Sequence, residues 1–128
     1  MTILLDTSGY SGLMRGDPEI LALMARASRI LIPAVVIGEL RSGFLRGNRN
    51  DENTRQLQAF LAKPSVAIVD VTAQTAERYA EIDVFLIAKG RPIPRNDVWI
   101  AASAFEHGCT LLTRDAHFRE LPLLPIRP

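Results

Sequence analysis

Along this chain, short apolar runs alternate with longer stretches in which apolar residues recur at helical spacing. Ile3-Leu4-Leu5 is the first apolar run and predicts a strand ending at Asp6. Asp17-Pro18-Glu19 then opens a helix, with proline in the first turn and Leu21, Met24 and Ala25 on one face. Residues 30–32 (ILI) predict a second strand, closed by Pro33. Val36, Leu40 and Phe44 recur every fourth residue and predict an amphipathic helix over 35–45. Residues 46–55 are polar and read as a turn, with a short helix after them through Leu57, Phe60 and Leu61.

The second half repeats the alternation. Residues 66–71 (VAIVDV) predict a third strand, and Thr72 caps a long helix carrying Ala76, Tyr79, Ile82, Phe85 and Leu86 to its end at Gly90. Residues 91–96 (RPIPRN) read as a rigid loop. The helix that follows, VWIAASA, stops at Gly108, and residues 109–113 (CTLLT) predict a fourth strand. LPLLPI near the end supplies an edge strand, since its prolines confine it to the margin. Strands separated by helices need the crossovers of parallel pairing, and continuously apolar strands are those covered on both faces. The predicted fold is a three-layer α/β/α sandwich with a short parallel sheet of four to five strands, a single domain over residues 1–128.

Composition narrows the function classes without choosing one. The 128 residues are 48% apolar and 23% charged, with a net charge of +1, which argues against a basic coat for unspecific nucleic-acid binding. Only Lys63 and Lys89 are lysines among fifteen basic residues; the arginine excess suits phosphate, and follows equally from a GC-rich genome. No apolar run approaches a membrane span, the start lacks a signal peptide, and the lone Cys109 reads as a small buried hydrophobe. A cytoplasmic protein is expected.

Most of the fourteen acidic residues sit in polar surroundings; Asp6, Glu39, Asp70, Asp97 and Asp115 lie against apolar sequence, where a carboxylate is costly unless paired or bound to metal. Asp6 and Asp115 leave the ends of strands, while Asp97 opens a helix and Glu39 lies early in another. In a parallel sheet these four face the rim where ligands bind. Each has a plain explanation alone: Asp6 and the Asn96-Asp97 pair as helix caps, Asp115 as a turn former, Glu39 as a partner of Arg41. Together they would repel one another without a cation between them, and with two scattered histidines and one cysteine an all-oxygen site for Mg²⁺ or Mn²⁺ is expected rather than a zinc site. Such sites serve phosphate-ester chemistry. His107 and His117 read as a helix-end residue and as part of a packing motif, with no catalytic part.

LLDTS (4–8), GEL (38–40), NDVWIAASA (96–104) and LLTRDAHF (111–118) resemble, in order and spacing, the motifs of the PIN domain, and more narrowly of VapC-type toxins from toxin–antitoxin pairs. The resemblance implies a metal-dependent ribonuclease whose catalytic and metal-holding acids are Asp6, Glu39, Asp97 and Asp115, supported by Thr7, Asn96 and Thr113. Asp70 has no counterpart and stays structural. It implies an RNA substrate, a cognate antitoxin that neutralises the toxin, and a homodimer, with no membrane. Arg91, Arg95, Arg114 and the Arg46/Arg49 loop flank the motifs as candidate RNA contacts. Leu13, Met14, Leu21 and Met24 are candidates for an antitoxin groove. Other readings are weaker: Ser8 stands where a haloacid-dehalogenase-type phosphotransferase needs a second Asp, and no lysine follows a strand as in a receiver domain. A non-catalytic RNA-binding or scaffold module is the rival of a different class.

Overall fold

The computed structural model describes residues 1–128. In chain order the elements are β1 (Thr2–Leu5), α1 (Thr7–Met14), α2 (Pro18–Ala25), β2 (Arg29–Pro33), α3 (Ala34–Arg46), α4 (Asn50–Leu61), β3 (Val66–Val69), α5 (Ala73–Lys89), α6 (Arg95–His107) and β4 (Thr110–Leu112). A 3-10 turn (Ala116–Glu120) and β5 (Ile126–Arg127) follow. The five strands form one parallel sheet in the order β3-β2-β1-β4-β5. The first crossovers move outward from β1 through β2 to β3, and the next returns past them to pair β4 with the other side of β1. Since such crossovers are right-handed, α1–α4 cover one face and α5–α6 the other. This is the expected α/β sandwich.

Burial follows the strand composition. Ile3, Leu4 and Leu5 of β1, Ile30 to Ile32 of β2, and Leu111 and Leu112 of β4 are all buried, because helices cover both faces of the central strands. Each such aliphatic side chain contributes about 1.5–3 kcal/mol by leaving water. β3 is an edge strand, and its Ile68 is half-exposed. An edge strand does take the opposite margin, but it is displaced from the expected LPLLPI: β5 is only Ile126–Arg127, because Pro122 and Pro125 keep the preceding residues out of the ladder.

Four other local expectations are corrected. α1 had no periodic signal: TSGYSGLM holds two glycines, yet both are needed, since a Cβ on Gly9 would stand 2.2 Å from the Leu112 carbonyl oxygen and one on Gly12 2.4 Å from Ile20. The polar stretch 46–55 is only half turn, because α4 already begins at Asn50, with acidic Asp51 and Glu52 in its first turn favouring the helix dipole. β3 ends at Val69, leaving Asp70 beyond the strand and exposed. Finally, α6 starts at Arg95 behind Pro94 with no side-chain cap, so neither Asn96 nor Asp97 is the capping residue. Asp97 is the third residue of the helix, one turn nearer the core.

Thr72 caps α5 as expected, through a reciprocal pair with Thr75. Gly90 and Gly108 end α5 and α6 in the left-handed conformation, with φ of 70° and 61°. α5 grips α6 at both ends. Near one end, the Thr72 and Thr75 hydroxyls donate to Glu106 at 3.1 and 2.5 Å. Near the other, Tyr79 stacks on Trp99 at 4.1 Å between ring centroids, while Arg95 donates to the Tyr79 hydroxyl and to Asp83. No helix is long and apolar enough to cross a membrane.

Candidate active site

The sheet order creates one crevice. The strand order reverses its direction of travel between β1 and β4, and ligands of open parallel sheets bind outside the carboxyl ends of strands at that point. Leu5 pairs with Leu112, so the next residues, Asp6 and Thr113, emerge side by side.

Asp6 is 4% exposed and heavily hydrogen-bonded. Its Oδ1 accepts the Gly9 N–H at 2.7 Å, so Asp6 does cap α1. Its Oδ2 accepts the Thr113 hydroxyl at 2.5 Å, and the Ser8 hydroxyl donates to the carboxylate at 2.9–3.0 Å. Each hydroxyl has one proton, and both are spent on Asp6. Their oxygens then accept from the backbone: Thr113 from Asp115 N–H at 2.9 Å, Ser8 from Arg114 N–H at 2.9 Å. Burial raises the Asp6 pKa above the usual carboxylate value against these three donors, and the charge of Asp115 adds to the rise. The β1 and β4 ends are thus tied together through two hydroxyls that hold a carboxylate.

Asp97 and Asp115 form the tighter group. His117 Nδ1 lies 3.0 Å from Asp97 Oδ2 and 3.0 Å from Asp115 Oδ1. One ligating atom from each residue falls within 4.8 Å of the others, a spacing suited to a single metal ion. Asp115 also caps the 3-10 turn by accepting the His117 N–H at 2.9 Å. Burial pushes the Asp97 pKa up to about 6; the charges of Asp115 and Glu39 push the same way, and His117 opposes them. The charge of Asp115, aided by Asp97, raises the His117 pKa above its ordinary value against desolvation. These carboxylates crowd one another where only a proton or a cation relieves the repulsion, and the donor set fits a divalent ion.

Glu39 sits on α3 at the edge of the group, accepting the Thr7 hydroxyl at 2.8 Å and the Asn96 amide at 3.4 Å. Its expected arginine partner is absent from the ion pairs of the chain, and its charge reaches Asp97 instead. The structure therefore brings together Asp6, Thr7, Glu39, Asn96, Asp97, Thr113 and Asp115. The arginines differ from one another. Arg114 turns away to a bidentate pair with Asp17 at 2.8–3.1 Å and reaches Glu19, and Arg95 is engaged by Tyr79 and Asp83. Arg49 pairs with Glu52. Arg91 and Arg46 enter no ion pair, and each lines a groove of about 400 Å³ next to the acids: Arg46 with Ser42, Glu39 and Asn96, Arg91 with Ile93 and His117.

Sequence reasoning missed Ser8, Gly9 and His117. Ser8 and Gly9 follow Asp6 at the spacing of an N-cap's hydrogen-bonding partners, a signal obscured because α1 was not recognised. His117 stands two residues beyond a strand-end Asp, where an Asx turn folds its backbone N–H onto that carboxylate.

This fold, with acids gathered at the sheet's reversal point, defines a phosphodiester-processing class, and the chain belongs to the PIN domain family, whose model matches residues 3–124. Its relatives within that family include VapC proteins. It is 31% identical to Ribonuclease VapC2 of Rickettsia felis, over 81% of this chain and 77% of that one. It is 30% identical to Ribonuclease VapC4 of Mycobacterium tuberculosis, over 93% and 90% of the two chains. Among solved structures, VapBC2 from Rickettsia felis bound to a DNA fragment from its promoter superposes with a TM-score of 0.85 at 27% identity, covering 99% of this chain and 98% of that one.

Proposed function

We propose that this chain is a divalent-metal-dependent endoribonuclease, the toxin of a toxin–antitoxin pair, with residues 1–128 forming one PIN domain in the cytoplasm. The observation that carries the reading is the convergence of Asp97, Asp115 and His117 on one point beside Asp6, at the reversal point of the sheet. The relatives named as ribonucleases support the same reading.

Asp97 and Asp115 would hold the cation, Mg²⁺ or Mn²⁺, with Glu39 and Asp6 completing the acidic ring. A divalent ion held there would supply charge to polarise a phosphodiester and to lower the pKa of water. The chain's own residues supply the rest. Thr113 and Ser8 fix the Asp6 carboxylate, Thr7 and Asn96 fix Glu39, and α5 clamps the helix that carries Asp97. Arg91 and Arg46, neither of them held in an ion pair, bind the phosphates of an RNA strand laid across the acids. Single-stranded or looped RNA suits these open grooves.

The solved VapBC complexes support a partner of the antitoxin kind; the homodimer implied by the sequence motifs is part of the same proposal. Exposed Met14 and Leu21, with part-buried Leu13 and Met24 beside them on α1 and α2, are apolar surface for that partner. A non-catalytic RNA-binding module is the rival reading, and the hydrogen-bonded upkeep of all four acids favours the enzyme.

The test is cleavage of a mixed RNA pool by the purified chain with Mg²⁺ or Mn²⁺, then with EDTA, beside Asp97→Asn. Metal-dependent cleavage lost in the variant is expected. Cleavage that persists in EDTA, or is untouched by the substitution, overturns the proposal.

A further inference from the structure

We infer that His117 supplies a nitrogen ligand to the cation held by Asp97 and Asp115, and that it tunes the site toward first-row transition ions over Mg²⁺; this rests on the reading that those acids hold a divalent cation. An octahedral ion with ligand distances of about 2.1 Å keeps neighbouring ligand atoms about 3.0 Å apart, the first figure times the square root of two. His117 Nδ1 stands 3.0 Å from one oxygen of each acid. The nitrogen is thus spaced from each acid as one corner of a coordination shell is from its neighbours, and all three ligating atoms lie within 4.8 Å of one another.

The placement is built by the backbone. Asp115 and His117 lie in one turn, in which the Asp115 carboxylate accepts the His117 N–H, so the bond that orients the acid also orients the ring. Asp97 meets them from α6. The His117 side chain is 52% exposed, so the coordination shell opens to water and substrate on that side.

Ligand chemistry sets the consequence. Mg²⁺ prefers oxygen and gives up water reluctantly, whereas imidazole nitrogen suits first-row transition ions, in rising order from Mn²⁺ through Co²⁺. Carboxylates alone suit Mg²⁺ and Mn²⁺ alike. The imidazole shifts the preference.

The experiment uses the intact chain, with His117→Gln and His117→Ala, both checked for cooperative melting. Mn²⁺ binding is followed by electron paramagnetic resonance titration, Co²⁺ and Mg²⁺ by competition, and nitrogen-14 coupling by electron spin-echo modulation of bound Mn²⁺. The expected result is nitrogen coupling in the wild type that vanishes in both variants. Mn²⁺ and Co²⁺ affinity should fall about tenfold or more, with Mg²⁺ affinity changing less than about threefold. Bound Mn²⁺ without nitrogen coupling in the wild type, or equal weakening of all three ions in the variants, overturns the role of His117 and leaves the acidic site standing. Failure of every ion to bind the wild type overturns both. The spin-echo measurement needs no variant, so an unfolded substitution does not shield the inference.

Discussion

Thr113 and Asp6, 107 residues apart in the chain, are joined by a 2.5 Å hydrogen bond where β4 and β1 run out of the sheet. The same Thr113 oxygen accepts the Asp115 N–H, so one side chain holds one acid and positions the backbone of another. Thr113→Val keeps the shape and removes both bonds. It should cost about 1–3 kcal/mol, the range for leaving buried polar groups unpaired, and cleavage should fall with it. Thr113→Ser should restore most of both. Urea unfolding and RNA cleavage read the two effects, and a Val variant of unchanged stability refutes the linkage.

Gly9 bears on the same acid through space rather than through a bond. A Cβ there would press on the Leu112 carbonyl and come within 3.2 Å of Asp6 Oδ1, so Gly9→Ala should destabilise by more than about 1 kcal/mol and disturb the site. Gly43→Ala is the control of opposite sign. It lies in α3 with nothing within 4 Å of the added carbon, and the helix should gain about 0.5–1 kcal/mol. Equal effects of the two substitutions would refute the steric argument.

The pH dependence of the metal-free protein has a definite sign. Asp97, with its pKa pushed up to about 6, keeps its proton in the folded state where the unfolded chain has lost it. His117, also raised, stabilises the folded state below its unfolded value and stops doing so as pH rises through its folded value. Asp97 makes the site less favourable as pH climbs from about 4 to about 6, and His117 extends the trend above about 6.5. In EDTA, Asp97→Asn should therefore gain melting temperature relative to the wild type across that window. Mn²⁺ should stabilise the wild type increasingly as pH rises through that window, because metal binding displaces protons from both groups. A difference that is flat with pH would contradict the assignment.

RNA binding separates the arginines. Arg91→Ala and Arg46→Ala should each weaken binding of a single-stranded RNA at low salt and lower the salt slope by roughly 0.7, the share of one phosphate contact. Arg114→Ala should leave that slope unchanged, because its guanidinium already belongs to Asp17 and Glu19. Fluorescence anisotropy with Asp97→Asn as background keeps the RNA intact. Loss of slope in Arg114→Ala alone would reverse the assignment.

The sheet was legible in the sequence because its central strands are continuously apolar and each ends on a recognisable breaker or acid. Asp6, Glu39, Asp97 and Asp115 could be picked out because carboxylates beside apolar runs demand an explanation. α1 was not legible: its glycines lower helix propensity, and their purpose, close approach to β4 and to Ile20, exists only in three dimensions. The start of α6 was misjudged for a related reason. Asn96-Asp97 has the chemistry of a cap, but Pro94 begins the helix earlier and Asn96 turns to Glu39. His117 was dismissed because a lone histidine carries no signal until the turn after β4 sets it between two acids from different elements.

The order of the strands also governs when the site can exist. β4 pairs with β1 in the interior of the sheet, although it is among the last elements of the chain to be made. A ribosome that has delivered everything through His107 has delivered Asp6, Glu39 and Asp97, but β1 still has a bare edge and Asp6 lacks Thr113. Only when Thr110–Leu112 docks do the first and last acids meet. The site is thus assembled only once β4 has docked against β1.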